Sequence, residues 1–100
     1  MSGKLVRLLG LGCRAGRVVV GVAGVRAELQ RDALRCVVLA GDASARTLEK
    51  VARLAARRGV PIVRGPGASA LGAGLGRPPV QAVGVADAAL ARGVVGSSEE

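Results

Sequence analysis

Residues 36–40 read CVVLA, and this unbroken apolar run constrains the fold more than any other stretch of the chain. A strand without polar alternation must be covered on both faces, as strands inside α/β domains are. The segment before it carries an apolar stripe with helical spacing, made of Val22, Val25, Leu29 and Ala33. After it comes GDASARTLEK, where Ser44 is placed to cap another helix. Helix and strand therefore alternate, which predicts a three-layer α/β/α sandwich.

The segments on either side continue this alternation. Further short apolar stretches are predicted as strands at 17–20, 60–63 and 80–85. A first helix carries Leu5, Leu8 and Leu9, and we expect it to end near the glycines at 10, 12 and 16. The third helix is expected to stop at Gly59, shortly before Pro61.

The C-terminal third of the chain is less regular. Residues 65–79 are rich in Gly and Pro, and only a short helical turn is predicted there, at 69–73. Asp87 is placed to cap a last helix, 88–92, that ends at Gly93. A length of 100 residues argues for one domain. We place that domain at 1–95 and expect 96–100 to be a flexible tail.

The chain is poorly supplied with catalytic side chains. It has no His, and its seven carboxylates are scattered. The two cysteines, Cys13 and Cys36, form no CxxC motif, so we predict no zinc or other metal site. We therefore expect a protein that is not an enzyme and that uses no cofactor. No stretch approaches a membrane span, and we predict a reduced, cytoplasmic protein.

The charge indicates a polyanionic partner. The net charge is +8, and of the 15 basic residues only Lys4 and Lys50 are lysines. Arginine suits planar acceptors such as phosphate. The alternative is that this charge merely keeps the protein soluble. The basic face of the third helix is interpreted as such a solvated surface; it comprises Arg46, Lys50, Arg53 and Arg57.

Two further features bear on the kind of partner. The chain contains no Phe, Trp or Tyr, so RNA binding by aromatic stacking, as on RRM and OB surfaces, is not expected. The stretch VVV leads through Gly21 into a helix N-terminus, which is a natural anion site. The alternative is that Gly21 only turns the chain. A Walker GxxxxGK[ST] motif is absent.

The segments LLGLGCRAGRVVVG, RCVVLAGDAS, RRGVPIV and LGAGLGRPPVQAVGV together resemble one family. It is the kink-turn RNA-binding ribosomal protein family L-seven-Ae, which has the L-thirty-e-like fold, and the likeness is greatest to its short bacterial YlxQ-like branch. The resemblance covers about residues 3–93. It implies an α/β/α sandwich with a four-stranded mixed sheet.

The resemblance also implies where RNA is bound, since the family uses the N-terminus of the second helix and nearby loops. The family motif G-x-N-E-x-x-K is matched at Gly21, but Ala23, Gly24 and Ala27 stand where it has Asn, Glu and Lys. The implied RNA-binding positions are Arg14, Gly16, Arg17, Gly21, Val22, Ala23, Gly24, Arg26, Leu75, Gly76, Arg77 and Pro78. Backbone N–H groups of Ala23 and Gly24, and the Arg26 side chain, are expected to replace part of the lost contacts.

Together these observations predict a non-catalytic protein of a ribonucleoprotein that docks structured RNA, such as ribosomal RNA or a kink-turn-like element. A polar contact to a base edge is worth about 1–3 kcal/mol of discrimination, by analogy with DNA. Three such contacts are missing, so a second hypothesis stays open: a protein-interaction module that keeps the fold without specific RNA recognition. A third class is small-ligand binding at the strand-end loops. The oligomeric state is not predicted.

Overall fold

The computed structural model describes residues 2–97 and contains one four-stranded mixed sheet. Its strands are β1 (Val18–Val20), β2 (Cys36–Leu39), β3 (Ile62–Arg64) and β4 (Ala82–Val85). They lie in the order β1-β4-β2-β3. Strand β4 is antiparallel to both β1 and β2, whereas β2 and β3 are parallel. At the centre, Val38 of β2 is opposite Val83 on one side and Val63 on the other.

Helices cover both faces of this sheet. They are α1 (Ser2–Arg14), α2 (Val22–Gln30), α3 (Ala45–Thr47), α4 (Arg53–Arg57), α5 (Ala68–Gly74) and α6 (Ala88–Ser97). A π-helical segment, Leu48–Ala52, joins α3 to α4 without interruption, and we call the whole unit helix 45–57. Helices α1, α5 and α6 pack on one face, while α2 and helix 45–57 pack on the other.

The β2 strand shows why the chain forms three layers. Its successive side chains point to opposite faces of the sheet. Cys36 and Val38 therefore join the core under α1 and α6, while Val37 and Leu39 join the core under α2. All four are completely buried or nearly so. The predicted three-layer α/β/α sandwich with a four-stranded mixed sheet is thus confirmed, with apolar cores built without aromatic side chains.

The first helix ends at Arg14, near Gly16 as predicted, but it passes through Gly10 and Gly12 without a break. These glycines allow close packing between helices. A Cβ atom on Gly12 would collide with the side chain of Leu90 in α6, and one on Gly10 would lie 3.4 Å from the Gly74 carbonyl oxygen in α5. The packing of α1 on its neighbours thus compensates for the low helix propensity of glycine.

Two further helix ends were predicted from the sequence, and the structure agrees with one of them. Ser44 caps helix 45–57 as predicted, since its Oγ accepts the Thr47 N–H at 3.1 Å. The last helix does not end at Gly93 but runs to Ser97, so 96 and 97 belong to α6 and not to a tail. The rest of the predicted tail, 98–100, lies outside the described residues.

Candidate nucleic-acid interface

One end of the sheet gathers the loops that carry most of the predicted site. Strands β1, β2 and β3 end there and β4 begins there, because β4 alone is antiparallel to its neighbours. Helix α2 also starts here, directly after Gly21, and we therefore call this end of the sheet the α2 end. The Gly21 N–H donates to the Ala82 carbonyl at 2.9 Å, and the Ala40 N–H donates to that of Gln81 at 2.9 Å. Backbone hydrogen bonds thus hold these loops side by side.

Polar side chains at the α2 end are used to hold its loops together. Asp42 Oδ1 accepts the Ala68 N–H at 2.7 Å and so ties the loop after β2 to the start of α5. The Ser44 N–H donates to Gln81 Oε1 at 3.2 Å, which ties helix 45–57 to the loop before β4. Arg64 donates to the Gly41 carbonyl at 2.9 Å. These hydrogen bonds fix the shape of the surface at the α2 end. Because the side chains that make them are already used within the protein, other groups would have to contact a bound partner.

The N-terminus of α2 is bare. Gly21 sits at the N-cap with φ 103° and, among the described residues, no side chain caps the helix. The first N–H groups of a helix lack partners within it and carry the positive end of its dipole. Ala23 is exposed and Val22 is half-buried. This end of α2 can therefore bring a phosphate or a base edge close to backbone donors.

The loop before β4 leads to the same end of the sheet. Gly76 adopts φ 68° after the C-terminus of α5, with Arg77 N–H donating to the Gly72 carbonyl at 2.9 Å. This is a Schellman motif, which positions the exposed Arg77 and Pro78. Pro78 is four residues before Ala82, which puts it within about 14 Å of the Gly21–Ala82 hydrogen bond. This chain length allows Pro78 to approach the α2 end, while Arg77 stays hydrogen-bonded to the C-terminus of α5.

Three of the predicted positions lie elsewhere. Arg14, Gly16 and Arg17 precede β1 and therefore lie at the opposite end of the sheet, about 13 Å of strand away from Gly21. Gly16 has φ 72° and ends α1, while Arg17 pairs with Asp87 at 2.9 Å. Gly16, which donates its N–H to the Cys13 carbonyl, and Arg17 thus have structural partners of their own. Arg14 instead lines a pocket with Gly74, the residue before Leu75.

Arg26 lines a groove that was not predicted from the sequence. The groove has a volume of about 410 Å³ and runs between α2 and helix 45–57. Its charged lining residues are Arg26, Arg46, Glu49, Lys50, Arg53 and Arg57. The basic residues on helix 45–57 that line this groove are the ones interpreted from the sequence as a solvated face. Their spacing was visible in the sequence, but the position of α2 alongside them was not.

The two cysteines are free and lie in different environments. Burial raises the pKa of the Cys36 thiol to about 11, so this group stays protonated at neutral pH, whereas Cys13 is half-buried. Within residues 2–97 no group of three or more His, Cys, Asp or Glu side chains is placed to hold a metal ion. Over the same residues no helix is both long and apolar enough to span a membrane.

The four-stranded mixed sheet with helices on both faces defines an α/β/α sandwich domain. A family model matches residues 4–94, and the chain belongs to the ribosomal protein L7Ae/L30e/S12e/Gadd45 family. A search among curated proteins gave no match.

Solved structures agree with this family fold. A Bacillus halodurans protein of unknown function superposes with a TM-score of 0.91 at 27% identity, covering 97% of this chain and 98% of that one. A Giardia lamblia 15.5kD RNA binding protein superposes with a TM-score of 0.78 at 22% identity, covering 98% of this chain and 84% of that one. The second likeness concerns the fold alone.

Proposed function

We propose that this chain is a non-catalytic RNA-binding protein that docks structured RNA at the α2 end. Proteins of its family are generally non-catalytic RNA binders. The observation that carries the proposal is the uncapped N-terminus of α2, which the hydrogen bond from Gly21 N–H to the Ala82 carbonyl holds against the start of β4. Bare N–H groups and small side chains together suit a phosphate backbone that approaches closely, and the exposed Arg77 is expected to add a positive charge to this contact.

We further propose a kink-turn or a similarly bent element as the RNA, and the bacterial YlxQ-like branch as the place of this chain in the family. The similarity in length to the bacterial structure supports the branch. Ala23, Gly24 and Ala27 offer no polar side-chain atoms. Recognition therefore rests on backbone donors and on shape more than on base edges. Binding within a cytoplasmic ribonucleoprotein is part of the same proposal.

A pair of substitutions at Ala23 tests the docking site. Ala23 is exposed in the first turn of α2, where a carboxylate stabilises the helix but repels a bound phosphate. Ala23→Glu is expected to weaken RNA binding at least about tenfold, as expected for like charges placed together. Ala23→Gln has nearly the same shape without the charge and should bind within about twofold of the parent.

The measurement is fluorescence anisotropy with a labelled kink-turn RNA and with a plain duplex of equal length, over a series of salt concentrations. Affinity should fall linearly on logarithmic axes as salt rises, and the kink-turn should bind more tightly than the duplex. Equal affinity of the Glu and Gln variants would contradict docking at the α2 end. Absence of RNA binding even at low salt would favour the protein-interaction hypothesis.

A further inference from the structure

We propose that the groove between α2 and helix 45–57 is a second docking surface, which holds a flanking strand of the same RNA by its phosphates. The inference rests on the proposed function and extends it from the α2 end along the groove beside α2. The groove is lined by five cations and one carboxylate, Glu49. That carboxylate already faces a partner, since Glu49 Oε1 lies 3.8 Å from Arg53 NH2.

The remaining cations of the groove have no anionic partner among the described residues. The ion pairs of this part of the molecule join Glu49 to Arg53, Glu28 to Arg31 and Asp32 to Arg58. Within residues 2–97, Arg26, Arg46, Lys50 and Arg57 make no such pair. Four cations in one groove repel each other, and a bound polyanion relieves that repulsion.

Arg26, which lines the groove, carries a buried donor for which the described residues offer no acceptor. Its Nε is shielded from solvent and has no hydrogen-bond partner among the described residues. A buried donor without an acceptor costs free energy. A turn of the Arg26 side chain toward the groove would give this N–H a phosphate oxygen as acceptor, and a planar guanidinium suits a phosphate.

The spacing of the cations favours a strand over a small anion. Arg46 and Arg57 are eleven residues apart on a helical unit, which corresponds to about 16 Å. A single phosphate group is much smaller than this length, so successive phosphates of a strand are needed to reach all the cations of helix 45–57. The charges are thus arranged along a line and do not converge on one point.

The groove is also continuous with the α2 end. Ser44, the N-cap of helix 45–57, is hydrogen-bonded to Gln81 at that end, and Arg46 is two residues further on. Arg26 is four residues into α2 from Val22. A strand that leaves the α2 end can therefore enter the groove without crossing the sheet. This continuity favours RNA over an acidic protein segment as the occupant.

The test neutralises two groove cations that lie in no ion pair, in the double variant Lys50→Gln/Arg57→Gln. With a kink-turn RNA that carries a long flanking stem, affinity is expected to fall about tenfold, and the slope of log affinity against log salt should decrease by about 1.4–1.8. With a minimal kink-turn RNA that lacks the flank, the variant should bind like the parent. The matched control is Arg7→Gln/Arg92→Gln, which removes two exposed charges on α1 and α6.

The outcomes separate this inference from the proposed function. If the groove variant binds the long RNA like the control while Ala23→Glu binds weakly, the groove is not a docking surface and the α2 end is. If the groove variant loses affinity while Ala23→Glu and Ala23→Gln are equal, the groove binds RNA and the proposed α2 site is wrong. Equal losses for long and minimal RNA would contradict a flanking strand. Inorganic phosphate that competes at millimolar concentration would instead indicate a small-anion site.

Discussion

Gly24 lies where the first turn of α2 comes close to β1. A Cβ atom at this position would be 2.7 Å from Val19 Cγ2, which is too close for two carbon atoms. Glycine at the position where the family motif has Glu is therefore part of the packing of this chain. Ala23 and Ala27, in contrast, are exposed, so their departures from the motif have no such structural reason.

This difference leads to a prediction of gained affinity. The double variant Ala23→Asn/Ala27→Lys restores two polar side chains of the motif at exposed positions. It is expected to bind a kink-turn RNA about tenfold to a hundredfold more tightly, because each good base-edge contact adds about 1–3 kcal/mol of discrimination. Affinity for a duplex should rise much less.

The control for that prediction is Ala89→Lys, which adds the same charge at an exposed position of α6. If the control and the double variant gained equally, the effect would be one of net charge and not of the motif. The readout is the ratio of kink-turn to duplex affinity at one salt concentration.

Among the helices, the sequence predicted the caps correctly, but it did not predict that α1 passes through Gly10 and Gly12 or that α6 extends to Ser97. The caps at Ser44 and Asp87 rest on short-range hydrogen bonds, which a few neighbouring residues determine. At Gly12, in contrast, α1 packs closely against Leu90 of α6, a residue that is distant in the sequence. Likewise, the groove beside Arg26 depends on how α2 and helix 45–57 lie side by side, and no local pattern encodes that.

Asp87 gives a prediction on stability. Its Oδ2 accepts the Leu90 N–H at 2.8 Å, and its Oδ1 pairs with Arg17 at 2.9 Å. Asp87→Ala removes an N-cap and is expected to lower the free energy of unfolding by about 1–2 kcal/mol. Asp87→Asn keeps a capping oxygen and loses only an exposed ion pair, which is worth at most about 1 kcal/mol.

Urea unfolding followed by far-UV circular dichroism measures both variants, since the chain has no Trp or Tyr to report by fluorescence. Arg17→Gln serves as the control for the ion pair alone. An alanine variant as stable as the asparagine variant would show that the cap contributes nothing.

For the molecule as a whole, the three layers of helices and sheet could be predicted from the sequence. The distribution of charge over the surface could not. A continuous apolar strand such as CVVLA requires cover on both faces, so the sandwich is encoded locally. The predicted site was divided because β1 puts Arg17 and Gly21 at opposite ends of the sheet. Strand direction is a property of the assembled sheet and not of any one segment.

The buried thiol in the central strand predicts how stability depends on pH. The pKa of Cys36 rises from 9.0 to about 11 on folding because burial disfavours the thiolate. Below pH 9 both states keep the proton, so Cys36 leaves stability unchanged there. Between 9 and about 11 only the unfolded chain loses the proton, so the free energy of unfolding falls as pH rises. The slope is at most about 1.4 kcal/mol per pH unit.

Urea unfolding at several pH values across this window measures the slope. Cys36→Ala is expected to be less stable overall and to lack this part of the pH dependence. Cys13→Ala, which removes the half-buried thiol, should keep it. An unchanged slope in Cys36→Ala would contradict the assignment.

The close contact of α1 with α5 and α6 has a consequence for how this sequence can change over generations. A Cβ on Gly74 would overlap the side chain of Val6, and one on Gly12 would overlap that of Leu90. A larger residue at position 74 needs a smaller one at position 6, because the β-branched Val6 side chain is stiff. At position 12 the flexible end of the Leu90 side chain would have to shift. Positions 6 and 74 are therefore expected to vary together among descendants of this chain.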